Sequence, residues 1–383
     1  MEIILWCLAG LVCYAYAGYP FLLAAVGSIR SRRIASAPIA PDVTVIIAAF
    51  NEEKDIARKL EMVLALDYPA SRRQIIVASD CSTDQTHDII KSFSGRGVGL
   101  VVLPARGGKT AAQNLAVQHA RGEILVFTDA TTQLASDAIR KLVEPFADPR
   151  IGCAGAQLEY QSGAGTAVGR GGGLYWRYEK LVKELESRAN SLIGVSGCLY
   201  AVRRSLYFPI APDLISDLVI ALDIFSGGHV TVYVPGAVAF EQTHEHAGRE
   251  FTMRSRVVVR SIHALVRRAR LLNPFHSGFF ALQLWSHKVL RYLVPELLIA
   301  VLLLSVWMAA QPGPRAPFYQ GFAALQLLGY GAVPVLYALC RRLNIRTGIL
   351  SAPFYFILAN AAALWALISY LRGARDVTWA TIR

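Results

Sequence analysis

Charged residues and cysteines are both scarce in this chain, and the cysteines are not spaced as metal ligands. Only 17% of the 383 residues are charged, whereas 54% are apolar and the mean hydropathy is +0.39. The six cysteines are scattered, so we expect free, mostly buried thiols in a reducing compartment. This composition is too apolar for an ordinary soluble protein and too polar for a pure transporter.

Acidic residues are absent from one long segment. Between Arg254 and Arg291 the chain contains Arg and Lys but no Asp or Glu, within a formal net charge of +12. Beside membrane spans, this segment is expected to contact anionic lipid headgroups, with a solvated basic face as the alternative. Nucleic acid is not expected as a partner, because no recognition motif accompanies the charge.

Long apolar runs lie near both ends of the chain. Residues 3–29 are sufficient to cross a bilayer, and Arg30, Arg32 and Arg33 follow directly. The run has no basic start and is longer than a signal-peptide core, so residues 1–29 are predicted to be a retained anchor. The positive-inside rule then places the following domain in the cytoplasm, on a plasma (inner) membrane.

Two or three further apolar runs lie within residues 291–372, which predicts a multi-pass protein with C-terminal transmembrane helices. Arg341, Arg342 and Arg346 agree with an internal loop between the later runs. A third crossing would leave Arg372 and Arg375 outside, which disagrees with the same rule. A re-entrant segment is the alternative, so the number of spans stays open.

Between the apolar ends, strand and helix patterns alternate. Strands are predicted at residues 43–50, 74–79, 100–103 and 124–128, with helices between them. This order predicts an α/β domain with a Rossmann-like, mostly parallel sheet over residues 42–253. Asn51 is expected to cap the helix after the first strand. Residues 254–290 are predicted to form basic helices at the membrane surface.

Two predicted strands end on aspartates, Asp80 and Asp129. Open α/β sheets bind their ligands at the carboxyl ends of parallel strands. A diphosphate ligand needs a cation, and hard cations take oxygen ligands. The two aspartates therefore predict a nucleotide or sugar-nucleotide site, while a turn or helix cap is the structural alternative for each.

The order of several short motifs resembles glycosyltransferase family 2, in particular its membrane-integrated branch with cellulose and hyaluronan synthases and bacterial polysaccharide glycosyltransferases. The motifs are AAFNEE (48–53), SDCSTD (79–84), RGGKTAAQN (106–114), TDATT (128–132), VSGCLYAVRR (195–204), SDLV (216–219) and EFTMRSRVVVR (250–260). The resemblance implies a GT-A fold and inverting transfer of a hexose-type sugar. It also implies a nucleotide-sugar donor, with UDP expected, and Mg²⁺ or Mn²⁺ as cofactor.

The resemblance also implies roles for individual residues. The implied donor-binding residues are Phe50, Asn51, Glu52, Asp80, Lys109, Asp129 and Arg256. Asp129 matches the first acid of a metal-binding Asp-x-Asp motif, and Thr131 stands in place of the second, so these two are the expected metal ligands. Asp217 matches the catalytic base, for which a helix cap is the alternative. Ser196 and Gly197 match the acceptor segment.

Three departures from the family pattern keep alternatives open: Thr131, Ser216 where an acid often precedes the base, and Val257 in place of a Trp. The expected function is extension of a polysaccharide. The alternatives are transfer of a single sugar to a lipid-linked acceptor and a degenerate nucleotide-binding partner subunit. A transporter is disfavoured, because the predicted spans carry no buried charge besides Glu296.

His244 and His246 flank Glu245, but this spacing lacks the helical separation of a common zinc motif. A loop over the active site is the preferred interpretation of these residues.

Overall fold

The computed structural model describes residues 1–30, 36–161, 167–242, 247–342 and 350–375. The predicted loop around His244 and His246 lies outside these ranges, as do Arg32, Arg33 and Arg346.

A mixed sheet of eight strands forms the centre of the domain. The strands are β1 Val43–Ala49, β2 Arg73–Ser79, β3 Val98–Val102, β4 Ile124–Asp129, β5 Gln133–Leu134, β6 Ile151–Gln161, β7 Leu199–Arg203 and β8 Val230–Gln242. Their order across the sheet is β3-β2-β1-β4-β7-β6-β8-β5. The first four in this order are parallel, whereas β7 is antiparallel to both of its neighbours. The predicted α/β class and mostly parallel sheet are confirmed.

Helices cover both faces of the sheet and extend from its edge. They are α1 Glu2–Cys13, α2 Tyr19–Ile29, α3 Ile56–Leu64, α4 Thr86–Ser92, α5 Gly108–Gln118, α6 Ala138–Val143, α7 Ala167–Ala189, α8 Ser216–Ser226, α9 Ala247–Arg267, α10 Pro274–Ser277, α11 Phe279–Leu284, α12 Leu290–Ala309, α13 Ala316–Arg342 and α14 Ser351–Leu371. Two π-helical turns, Tyr14–Gly18 and Trp285–Val289, join α1 to α2 and α11 to α12. Every residue of β1 is buried, as expected for a parallel strand with helices on both faces.

The parallel strands bring Asp80 and Asp129 to the same edge of the sheet. Asp129 pairs in register with Ala48 of β1, and the backbone amide of Asp80 donates to the Ala49 carbonyl at 2.9 Å. The strand ends therefore form the crevice edge that the sequence pattern predicts.

The start of α3 differs from the prediction. Asn51 has a positive φ of 52° and lies before the helix, which begins only at Ile56. Asn tolerates this left-handed conformation better than most residues. Its side chain bonds the neighbouring loop instead of capping α3: Oδ1 accepts from the Thr83 amide at 2.8 Å.

Four helical segments are long and apolar enough to cross a membrane within the described part of the chain: Glu2–Ile29, Phe279–Ala309, Ala316–Cys340 and Ser351–Leu371. The first C-terminal segment is a continuous helix from Phe279 to Ala309, which starts before the predicted residue 291. It therefore includes Lys288 and Arg291 as well as Glu296. The predicted domain boundary at 253/254 falls inside the single helix α9.

Helix α14 lies along α9. Near the start of α14, the Tyr355 hydroxyl donates to Glu250 Oε1 at 2.7 Å. Just after its end, the Ala374 carbonyl lies 2.9 Å from His263 Nε2. Both ends of α14 are thus attached to α9.

The thiols are free in the structure, but only Cys153 and Cys198 are buried. The expectation of mostly buried cysteines was therefore wrong, because Cys7 and Cys13 lie exposed on the apolar helix α1.

Candidate active site

Two cavities meet at the carboxyl edge of the sheet. The first cavity, of about 230 Å³, is lined by Ala48, Glu52, Lys109, Thr110, Asp129, Ala130, Thr131, Ile215, Ser216, Asp217, Arg256, Val257 and Arg260. The second cavity, of about 430 Å³, shares Lys109, Asp129, Asp217 and Arg256 with the first and continues towards the apolar helices. Charged groups from four different segments therefore surround the junction of the cavities.

Asp129 lies at this junction in an ion pair with Lys109. The Lys109 ammonium also donates to the Gly197 carbonyl at 3.1 Å, which links the β4 edge to the segment before β7. Thr131 is exposed and lines the first cavity. The expected metal ligands Asp129 and Thr131 therefore face the same space.

A second carboxyl group, Glu241 at the end of β8, lies in electrostatic contact with Asp129. Burial, and next the negative charge of Asp129, raises the pKa of Glu241. Its Oε1 accepts a hydrogen bond from the Thr132 hydroxyl at 3.0 Å. Sequence reasoning missed Glu241, because nothing near it in the chain indicates that β8 ends beside the turn that follows β4.

A buried lysine, Lys59 of α3, lies behind Asp129. Its ammonium donates to Thr128 Oγ1 at 2.9 Å and to the Thr132 carbonyl at 2.6 Å. Burial lowers the pKa of Lys59 to about 7, against the opposing effect of Asp129. Lys59 thus stabilises the turn after β4. Sequence reasoning also missed this lysine.

Asp217 is held in the first turn of α8, where it faces both cavities. The N-cap position of this helix is Ile215, so Asp217 is not the cap. Burial raises the pKa of Asp217, while the positive charges of Lys109 and Lys288 oppose that shift. A carboxylate with a raised pKa, aimed into a cavity, is suited to accept a proton.

The loop before Asp217 is organised by Arg260 of α9. This buried guanidinium donates to Thr110 Oγ1 at 3.2 Å and to the Pro212 carbonyl at 3.1 Å, and it also donates to the Leu214 carbonyl. Arg260 is therefore a buried residue that stabilises this loop, and it does not lie on the membrane surface. In the same loop, Asp213 pairs with Arg267.

Asp80 is fully buried beneath the first cavity. Its Oδ1 accepts from the Gly107 amide at 2.7 Å and from the Gly108 amide at 2.9 Å, and Oδ2 accepts from Arg106 Nε at 3.0 Å. Gly108 has a φ of +85°, which a glycine adopts without strain. Asp80 thus fixes the Gly-Lys loop that presents Lys109.

Phe50 and Asn51 lie beside the first cavity and do not line it. The Phe50 ring lies under the Arg106 guanidinium, whose central carbon is 3.5 Å from the ring centroid. The neighbouring Glu52 does line the cavity, and its backbone amide donates to Thr86 Oγ1 at 2.8 Å. Of the expected donor residues, Glu52, Lys109, Asp129 and Arg256 face the cavity directly.

Ser196 and Gly197 line the second cavity, next to Asp217. The Ser196 hydroxyl accepts from Lys183 Nζ at 2.7 Å. Gly197 passes so close to Asp217 that a Cβ atom on it would lie 2.8 Å from Asp217 Oδ2. The segment expected to shape the acceptor site is therefore in contact with the expected base.

Several known proteins are similar to this chain. Residues 44–208 match the family model for glycosyl transferase family 2. The β-monoglucosyldiacylglycerol synthase of Synechocystis is 33% identical over 116 residues, which are 29% of this chain and 24% of that enzyme. The N-acetylglucosaminyltransferase of Rhizobium sp. strain N33 is 27% identical over 225 residues, 54% of this chain and 50% of that enzyme. The chain thus spans half or less of the length of these curated relatives.

Among solved structures, the mannosyltransferase PcManGT from Pyrobaculum calidifontis in complex with GDP-Man and Mn²⁺ has a TM-score of 0.72. The two chains are 23% identical, and the match covers 96% of this chain and 99% of that one, which establishes a shared GT-A fold. Residues 44–208 therefore match glycosyltransferase family 2, within a chain that has the GT-A fold.

Proposed function

We propose that this protein is a membrane-bound, inverting glycosyltransferase that moves a hexose-type sugar from a nucleoside-diphosphate donor to an acceptor held at the membrane. The observation that carries the proposal is the meeting of two cavities at Asp217, Lys109 and Asp129. One cavity lies on the strand edge, where open sheets bind nucleotides. The other leads to the apolar helices, so donor and acceptor would approach Asp217 from different sides.

In this proposal Asp217 is the general base. An acceptor hydroxyl oxygen attacks the anomeric carbon, the bond from that carbon to the diphosphate oxygen breaks, and Asp217 takes the hydroxyl proton. Attack on the face opposite the diphosphate inverts the anomeric configuration. The raised pKa of Asp217 favours this proton transfer.

The leaving diphosphate would lie against Lys109 and Arg256, which line the first cavity. Both cations suit phosphate oxygens, and Arg binds them with a planar fork. Asp80 acts in this proposal by positioning the loop that carries Lys109. UDP is the expected nucleotide from the family resemblance, and the GDP-Man complex of PcManGT makes GDP-sugars the second donors to test.

Mg²⁺ or Mn²⁺ fits the residues at the rim of the first cavity. The described residues contain no group of three His, Cys, Asp or Glu side chains that could hold a metal. Cations of this kind are commonly held by one or two protein ligands together with substrate phosphates. Asp129 and Thr131 would hold the ion, which would neutralise charge on the leaving diphosphate.

The second cavity favours a single acceptor at the membrane over a long polymer channel. It is lined by Tyr16, Lys288, Tyr292 and Asn360 from three of the candidate membrane helices, and its volume is that of a small-ligand pocket. Val257, which replaces the Trp of polymer-forming relatives, lines both cavities. Addition to a lipid-linked acceptor is therefore the preferred form of the proposal, with extension of a polysaccharide as the alternative.

The acceptor class is tested with labelled UDP- and GDP-sugars, membrane vesicles and the purified protein. Label that partitions into organic solvent after the reaction supports a lipid-linked acceptor, and label retained in a large polymer supports the polysaccharide alternative. The reaction is repeated with Mn²⁺, Mg²⁺ or EDTA, and loss with EDTA is the expected result. Binding of UDP without transfer to any acceptor would favour the degenerate partner subunit.

The orientation follows from the same proposal. With the catalytic domain in the cytoplasm and the apolar helices in the plasma membrane, a cytoplasmic nucleotide-sugar reaches the first cavity directly. Within the basic segment, the exposed Arg267 and Arg270 would then lie where they can contact anionic lipid headgroups. Arg254 and Arg260 are instead held by hydrogen bonds inside the protein.

A further inference from the structure

The two π-helical turns meet at the second cavity. The Tyr14 hydroxyl of the first turn lies 2.9 Å from the Ser286 hydroxyl of the second. Each turn also contributes to the cavity wall, through Tyr16 in the first and through His287 and Lys288 in the second. Single π-helical turns inside helices occur frequently at functional sites, because they redirect side chains that a regular helix would point elsewhere.

Some basic side chains on the cavity wall already have carboxylate partners. Arg291 pairs with Glu179 at 2.6 Å, and His287 Nδ1 lies 2.7 Å from Glu186 Oε1. The Arg291 guanidinium is also surrounded by the rings of Tyr16, Tyr175 and Tyr178, at 5.4–5.9 Å from their centroids. These groups form a paired layer between α7 and the segment Phe279–Ala309.

Lys183 and Lys288 do not belong to this paired layer. Lys183 of α7 donates to the uncharged Ser196 hydroxyl, and within the described residues it has no ion pair with a carboxylate. Lys288 has neither an ion pair nor a hydrogen bond in the same part of the chain. Both lysines line the second cavity together with Asp217, and the charge of Lys288 acts on Lys183.

Placing two lysines on the wall of one partly enclosed cavity costs free energy unless an anion binds between them. Removing a charge from water without a partner is unfavourable, and the repulsion between two like charges adds to that cost. Asp217 does not balance both lysines by itself, since Lys109 is paired with Asp129. Glu179, whose charge also acts on both lysines, is already paired with Arg291. The wall therefore has an excess of positive charge next to the expected base.

We propose that Lys183 and Lys288 bind a phosphate group of a lipid-linked acceptor, whose hydrocarbon chain leaves the cavity between the apolar helices. This inference rests on the proposed glycosyl transfer and names the class of acceptor: an anionic phospholipid-type acceptor and not a neutral glyceride. Phosphate presents several oxygens, so it can accept from both lysines at once. Tyr16, Tyr292 and Asn360 line the route by which the chain would leave.

Binding is measured with the full-length protein in phosphatidylcholine nanodiscs, using decyl phosphate, decanol and inorganic phosphate as probes. Empty nanodiscs correct for partition of the probes into lipid. The wild-type protein is expected to bind decyl phosphate at least tenfold more tightly than decanol or inorganic phosphate. Lys183→Met and Lys288→Met should each raise the Kd for decyl phosphate about tenfold, because each removes one charge-assisted hydrogen bond.

Lys180→Met is the matched control, since Lys180 lies on the same helix and pairs with Glu159 at 2.6 Å outside the cavity. It should leave the Kd for decyl phosphate unchanged. The Kd for UDP or GDP is measured for every variant, and an unchanged value shows that the fold and the first cavity are intact.

The outcomes separate this inference from the proposed function. If decanol binds as tightly as decyl phosphate, or if both lysine variants keep the wild-type Kd, the anionic acceptor is excluded while nucleotide binding stands. If inorganic phosphate binds as tightly as decyl phosphate, the anion is free phosphate and the lipid assignment is wrong. If the wild-type protein binds neither UDP nor GDP, the proposed function itself fails.

Discussion

A Cβ atom placed on Gly197 would lie 2.8 Å from the Asp217 carboxylate, a distance that real Cβ contacts essentially never show. The backbone at Gly197 therefore defines one side of the space that the base occupies. The Gly197 carbonyl also accepts from Lys109, so donor loop, acceptor segment and base are directly connected.

We expect Gly197→Ala to displace Asp217 and to lower kcat by about tenfold to a hundredfold, because small displacements of a catalytic group are costly. The Kd for the nucleotide should change little, since the methyl group faces Asp217. Steady-state kinetics and nucleotide binding measure the two effects. Gly194→Ala is the control, because its Cβ would make only an ordinary 3.6 Å contact with Leu218. Equal effects of both variants on kcat would contradict this prediction.

The rate of transfer should depend on pH through Asp217. Burial raises the pKa of this carboxyl, so activity is present above that raised pKa and is lost as the pH falls through it. Lys288 lowers the pKa of Asp217, and its removal should therefore move the acidic limb to higher pH. We expect this shift for Lys288→Gln in a profile of kcat/KM against pH, and none for Lys180→Gln. A shift to lower pH would exclude Asp217 as the titrating group.

Asp80 should act on the donor loop and not on the nucleobase. Its carboxylate accepts from the amides of Gly107 and Gly108. Asp80→Asn replaces one carboxylate oxygen by an NH2 group, so a hydrogen-bond donor then faces a buried donor, which costs about 1–3 kcal/mol of stability at this loop. Calorimetry should show weaker binding of UDP, GDP and inorganic diphosphate by a similar factor. Loss of UDP binding alone would indicate that Asp80 contacts the nucleobase directly.

Arg260 should be required for stability as well as for activity. It donates to the carbonyls of Pro212 and Leu214, and Arg260→Met would leave these buried acceptors unsatisfied. We expect a Tm lower by several degrees and loss of transfer, measured by thermal unfolding in detergent and by activity assay. Arg267→Met removes only a partly exposed ion pair with Asp213 and should change the Tm by at most about 2 °C. Equal Tm values for the two variants would contradict the assigned role of Arg260.

The contact between His263 and the Ala374 carbonyl predicts that the end of α14 lies on the same side of the membrane as the catalytic domain. In a cysteine-free background, Arg375→Cys should react with an impermeant maleimide from the catalytic side. Arg315→Cys, in the turn between α12 and α13, should react only from the opposite side. Labelling of both positions from one side would exclude this topology. The predicted result also removes the conflict between Arg375 and the positive-inside rule.

The sheet and its crevice edge could be predicted because buried parallel strands leave continuous apolar runs in the sequence. The positions of Asp80 and Asp129 after two such runs follow from that pattern alone. The start of α3 could not be predicted in this way, because Asn51 adopts a left-handed conformation that depends on hydrogen bonds to the next loop. Contacts between these two loops, and not the preference of Asn for a capping position, therefore determine the conformation of Asn51.

The wall of the second cavity could not be predicted from local sequence at all. Lys183 lies in a helix rich in Glu and Lys that resembles a solvent-exposed helix, and it reaches Lys288 only through packing of α7 against a distant apolar segment. One signal was available: Lys288 and Arg291 lie beside an apolar run, and charges within membrane segments commonly mark functional sites. Glu241 has no such signal, since only the pairing of β8 with β5 and β6 brings it towards Asp129.

The most direct test of the account is release of nucleoside diphosphate from a panel of UDP- and GDP-sugars by the purified protein with membrane lipids. Asp217→Asn is compared with Asp223→Asn, which lies on the same helix but pairs with Arg268 away from the cavities. The account predicts release from one donor by the wild type and by Asp223→Asn, and a loss of about a hundredfold or more for Asp217→Asn. Wild-type turnover by Asp217→Asn, or no release from any donor, would contradict it.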